Sequence, residues 1–209
     1  MRRMLGLLMI LCLALTGCAD EENQPEPDSK AESAKITLTP VDPFEGEAAK
    51  LKNFLGTMTG GFKLRYEGDG KPNATLNLDL WENGKKVGSF GSIMDVFFDP
   101  GDPDNREVEI IMSIDSVPAA AQGGVDSIKV GIVHDSGTGV STFTRPVDPK
   151  LTARGLIHYS EPVTLTATGD VPVWGMHATS TNSIRSGDFT QEALSGMEWG
   201  MIATLRFDE

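Results

Sequence analysis

The side chains best placed for chemistry are Asp135 and Ser136, in the run Ile132-Val133-His134-Asp135-Ser136-Gly137-Thr138. A carboxylate at a glycine-bearing turn can be half of a pair sharing one proton, because two carboxylates a few ångströms apart cannot both ionise. The chain has one copy of this run, so a homodimer would have to supply the second aspartate. The same residues also make a β-turn between two strands, where Asp, Ser and Gly belong for their backbone habits. A second group, Asp99, Asp102, Asp104, Asn105 and Glu107, crowds into one proline-broken loop. Hard oxygen ligands at that density could hold Ca²⁺, which takes about six to eight oxygens. The spacing is not that of an EF-hand, and a solvated acidic turn bent by Pro100-Gly101 accounts for the same residues. His134, His158 and His177 are scattered and have no nearby cysteine, unlike the clustered ligands of zinc sites. Trp81, Trp174 and Trp199 could offer an aromatic platform to a sugar or peptide, or plug a sandwich core.

Asp135-Ser136-Gly137-Thr138, entered from Ile132-Val133, resembles the Asp-Thr/Ser-Gly signature of aspartic proteases. The resemblance implies a catalytic Asp135 in a dimeric dyad. It breaks at His134, where that family has an apolar residue. There is no G-x-S-x-G elbow, phosphate-cradling loop or G-x-G-x-x-G. Ser89, in Gly88-Ser89-Phe90-Gly91-Ser92, lacks the elbow's final glycine and reads as strand edge.

The elements that would position these groups are mostly strands. Ile36 to Thr39 alternates and predicts a first strand. The stretch 44–55 is ambiguous: Asp42-Pro43-Phe44-Glu45 resembles a helix start, and Phe44, Ala48, Leu51 and Leu55 recur at helical spacing, with Gly56 to close it. Leu51, Asn53 and Leu55 equally alternate as in a strand. Beyond it the period is two, through Phe62-Leu64-Tyr66, Leu76-Leu78-Leu80, Val108-Ile110-Met112-Ile114 and Ile128-Val130-Ile132. Val140 to Thr144, Leu156-Ile157 and Val163 to Thr166 add further strands. Asn83-Gly84 after Trp81-Glu82 is a strong hairpin signal. Near the end, Trp174-Gly175-Met176-His177-Ala178-Thr179 is echoed by Trp199-Gly200-Met201-Ile202-Ala203-Thr204. Between the two, Asp188 to Gln191 resembles a capping box opening a short helix that Gly196 ends. The echo's glycines are expected to relieve crowding beside the tryptophans, and Met201, Ala203, Leu205 and Phe207 to face the core. The pattern predicts an all-β, mostly antiparallel β-sandwich with one or two short helices, a closed barrel being the second choice.

The start of the chain sets its address. Arg2 and Arg3 precede an apolar run, Leu5 to Leu15, which has the grammar of a signal peptide. The run is too short to span a bilayer, which takes about 20 apolar residues. Leu15-Thr16-Gly17-Cys18 then resembles the bacterial lipobox, and the chain is identified by it as similar to the membrane lipoproteins. That resemblance implies a diacylglyceryl group on the Cys18 sulfur, cleavage before it, and anchoring by acyl chains of the palmitate type, two of which hold stably. Ala19, rather than aspartate, implies the outer membrane if the cell has one. Cys12 would be discarded and Cys18 capped, which removes disulfides and thiolate chemistry together.

Without residues 1–17, 16 basic side chains (18 less Arg2 and Arg3) face 30 acidic ones, a formal charge of 16 − 30 = −14. Such a chain is repelled by nucleic acid and by anionic head groups. Residues 19–35, with Cys18, make an acidic, proline-bearing linker without a large apolar side chain, expected to be disordered. Residues 36–209 are expected to form one domain. The functional expectation is a lipid-anchored, extracytoplasmic, non-enzymatic binding or accessory module, with an envelope protein or glycan as partner. The alternatives are a Ca²⁺-dependent carbohydrate- or peptidoglycan-binding module and the dimeric aspartic-protease-like enzyme.

Overall fold

A computed structural model describes residues 33–55, 58–117, 124–184 and 187–207. All fall within the compact unit Glu32–Glu209. The apolar run, Cys18 and nearly all of the acidic linker lie outside the described residues, as do Gly56, Arg185 and the connection 118–123.

Among the described residues, eleven strands build two antiparallel sheets: β1 (Lys35–Val41), β2 (Thr59–Glu67), β3 (Ala74–Glu82), β4 (Lys85–Ile93), β5 (Glu107–Val117), β6 (Val125–His134), β7 (Gly137–Pro146), β8 (Ala153–His158), β9 (Val163–Thr166), β10 (Gly169–Thr179) and β11 (Trp199–Phe207). Sheet A runs β7-β6-β5-β2-β1-β9 and sheet B runs β4-β3-β11-β10-β8. This is the expected all-β sandwich.

Its core follows from the two-residue period. Ile36 and Leu38, Phe62 and Leu64, Val108 to Ile114, and Ile128 to Ile132 put every second side chain inward from sheet A. Leu76, Leu78, Met176, Met201, Ala203 and Leu205 answer from sheet B. Each large side chain so buried contributes about 1.5–3 kcal/mol. Between β3 and β4, Asn83 and Gly84 both have positive φ, 49° and 73°, the backbone of a type I′ hairpin turn.

The 44–55 stretch is helical, but late and short. A 3₁₀ turn, Gly46–Leu51, leads into α1 (Lys52–Leu55). Asp42 Oδ1 accepts from the Phe44 amide at 2.9 Å, yet the helix does not start there because Gly46, at φ 58°, turns the chain first. Phe44 is buried while Leu51 and Leu55 stay exposed. The spacing therefore reported a helix without an apolar face of its own.

β11 is buried on both sides along nearly its whole length, as β10 is over Val173–Met176. Met201, Ala203 and Leu205 enter the main core. On the other side Ile202 joins Ile157, Leu194 and Met197 in a second, smaller core. The lid over it is α2 (Gln191–Ser195). Its N-cap is Thr190, whose hydroxyl accepts from the Ala193 amide at 3.3 Å, rather than Asp188 as the spacing suggested. Asp188 sits two residues back and accepts from the Thr190 amide at 2.9 Å. Gly200 relieves crowding, but not beside a tryptophan: a Cβ there would strike the Met197 sulfur. The echoed segments lie antiparallel against each other, Met176 opposite Met201 and Trp174 opposite Ala203.

Candidate functional site

Asp135 occupies the turn between β6 and β7 and lines a groove of about 500 Å³ on the outer face of sheet A. The floor is made by alternate residues of three strands, Thr37 and Thr39, Lys63 and Arg65, and Glu107 and Glu109, with Val133 and His134 from the end of β6. Cross-strand ion pairs tie it together, Lys63 to Glu109 at 3.5 Å and Arg65 to Glu107 at 3.7 Å. Pairs this exposed add at most about 1 kcal/mol each. Among the described residues, no Phe, Tyr or Trp ring lines this groove.

Ser136, its neighbour in the sequence motif, points elsewhere. Its hydroxyl donates a short hydrogen bond to Asp99 Oδ1, and the Gly101 amide donates to the same oxygen at 2.8 Å. The Ser136 hydroxyl, then the Gly101 amide, hold the Asp99 carboxyl below its ordinary value, against the opposing effect of burial. The rest of the acidic loop is similarly committed to its own backbone. Asp102 Oδ1 accepts from the Asp104 amide at 3.1 Å, and the Asn105 side-chain amide donates to the carbonyls of Phe97 and Glu107 at 3.2 and 2.6 Å. Asp104 is exposed, 3.9 Å from Lys71, and Glu107 faces Arg65 in the groove. Asp99 and Asp102 thus shape a turn beside the buried Val96 and Phe97, while the side chains of Asp104 and Glu107 are turned to Lys71 and Arg65. Among the described residues, no three His, Cys, Asp or Glu side chains converge in a way that could hold a metal ion.

The tryptophans do not share a surface. Trp174 and Trp199 belong to the core between the sheets, 1% and 7% exposed. Trp81 packs against the smaller core under α2. A second groove, of about 540 Å³, runs between the end of β10 and α2 and is lined by His177, Asp188, Glu192 and Glu198. Glu198 accepts from the Ser180 amide at 2.9 Å and the Thr179 hydroxyl at 2.8 Å, which together lower its pKa.

The most strongly bound charged group carries no motif. Asp126, at the far end of β6 from Asp135, is wholly buried on the interior face. Its Oδ1 accepts from Ser116 at 2.6 Å and Arg154 at 2.8 Å, and its Oδ2 from Arg145 at 3.0 Å. The Arg145 guanidinium lies 3.7 Å from the Trp199 ring centroid, a cation–π contact. β5, β6 and β7 of sheet A are thereby tied to β8 and β11 of sheet B. Burial alone would raise the Asp126 pKa; the hydrogen bonds from Ser116, Arg154 and Arg145 outweigh it and hold the carboxyl below its ordinary value. A sequence signal existed: Asp126 is in phase with Ile128, Val130 and Ile132, and Arg145 with Phe143, so both charges fall on core positions.

Comparison with protein families, curated proteins and solved structures finds no match to this chain.

Proposed function

We propose that the chain is a lipid-anchored protein of the bacterial cell envelope whose β-sandwich serves as a non-enzymatic binding or accessory module. The observation that carries the reading is the dispersal of the groups capable of chemistry. Asp135 rims the groove on sheet A, Asp99 is occupied by Ser136 and Gly101, and Trp174 and Trp199 lie inside the core. Acid–base catalysis asks for partners within hydrogen-bond reach of one reacting centre.

What remains accessible is a shallow polar face. Its Thr37 and Thr39 hydroxyls, Lys63 and Arg65 cations and Glu107 and Glu109 carboxylates suit a polar ligand of mixed charge, such as a segment of another envelope protein or a glycan. The address rests on the lipobox resemblance of Leu15 to Cys18, and the formal charge of −12 for the whole chain disfavours nucleic acid.

Feeding expressing cells a labelled fatty acid and fractionating them tests the anchor. The full-length chain is expected in the membrane fraction with label, and Cys18→Ala without either; an unlabelled, freely soluble parent protein would overturn it. Robust peptidase or glycosidase turnover by the purified chain would overturn the non-enzymatic part.

A further inference from the structure

The four strands that end the sheets are not alike. β9 has four residues and β8 six. β4 carries Lys85 and Lys86, and its register against β3 shifts twice. Short length, charge and irregular register are the usual protections of an exposed edge. β7 has none of them over most of its length. It runs ten residues in unbroken register with β6, and from Gly137 to Thr144 it holds no charged residue and no proline. Among the described residues no strand pairs with its outer side. An uncharged, β-prone segment such as Gly139 to Thr144, left open, templates further pairing.

We propose that β7 pairs antiparallel with β7 of a second copy of this chain, joining two A sheets across a two-fold axis centred on Ser141. Faces restrict the register, because directly opposed residues of an antiparallel pair share one side of the sheet. An isologous contact of this kind then opposes positions of equal parity. Centred on Ser141, Val140 meets Thr142 of the second copy, Thr138 meets its Thr144, and Gly139 meets its Phe143. Val140, 67% exposed in one copy, gains a β-branched neighbour. Above Gly139 the space is open, with no atom within 4 Å of where a Cβ would stand. An aromatic side chain opposite a glycine is a pairing that stabilises sheet edges.

Charge selects the occupant. Two copies of so acidic a chain repel wherever carboxylates oppose each other, whereas this edge brings none between Gly137 and Thr144. The charged side chain on the adjacent β6, opposite Thr142, is the cationic Lys129.

The test uses the chain from residue 18 onward with Cys18→Ser, so that an introduced cysteine is the sole thiol. Ser141→Cys brings two sulfurs together on the axis, with Cα atoms about 4.5–5.5 Å apart, within disulfide range. Thr138→Cys leaves its two copies about 20 Å apart. Mild oxidation is expected to link Ser141→Cys into a dimer at least tenfold faster than Thr138→Cys or the β4 control Val87→Cys. Sedimentation is expected to show a dimer in the parent chain whose dissociation constant rises at least tenfold in Val140→Lys, an exposed change the fold accommodates. A monomer up to about 1 mM, equal cross-linking at the three positions, or a dimer indifferent to Val140→Lys overturns the proposal.

Discussion

Two aspartates, one near each end of the sandwich, show how differently a buried carboxylate can be used. Asp99 and Asp126 are both buried and both accept from a serine hydroxyl. Asp99 completes its shell with a backbone amide of its own loop and fixes a turn. Asp126 completes its shell with Arg145 and Arg154 and fixes one sheet against the other. Neutral donors supply shape locally, while paired charges reach across the core, at the cost of desolvating three ionic groups. The residue that resembles a catalytic motif lies beside the local device, and the long-range device has no motif.

Three substitutions press on that contrast, in falling order of effect. Asp126→Asn leaves the buried Arg145 and the half-buried Arg154 without their counter-charge, and denaturant unfolding is expected to register a loss of about 3–5 kcal/mol. Ser136→Ala removes one donor from Asp99 and frees the loop's end, so its midpoint shift is expected in the same direction but clearly smaller. An equal shift would mean that the two carboxylates hold the fold alike. Asp135→Asn, at the groove rim, is expected to leave the unfolding midpoint within error of the parent.

Acid sharpens the same comparison. Both folded carboxyl groups sit below their ordinary values, so each contributes stability that is present above the unfolded pKa of about 4 and is lost as pH falls through the folded one. Stability is therefore expected to decline from about pH 4 downward. The decline is expected to be shallower in Asp126→Asn, whose side chain no longer titrates; an unchanged acid limb would assign the dependence to other groups.

Much of the architecture is written in local pattern. The alternation in β2, β5 and β6 reads directly as one buried face, and Asn83-Gly84 as a hairpin, because neighbours a few residues apart decide both. Other features depend on partners far along the chain. Ile202 falls on what alternation reads as the wet side of β11, and it is buried because α2 and the residues around it cover that side. The Asp126, Arg145 and Arg154 cluster joins three strands whose proximity is a matter of register. Asp135, conspicuous in the sequence, stands apart from its motif partner because successive side chains at the turn point to different sides.

The place of β11 bears on when the fold can exist at all. It is the last strand in order and yet the middle of sheet B, between β3 and β10. A chain emerging from its N-terminus holds β3 and β4 as a lone hairpin, marginal in water, until residues 199–207 arrive. Sheet B thus closes only once residues 199–207 are available, through contacts of long sequence separation, which form slowly. Removing the β11 segment should leave no half-formed sandwich, only an unfolded chain, by far-UV circular dichroism.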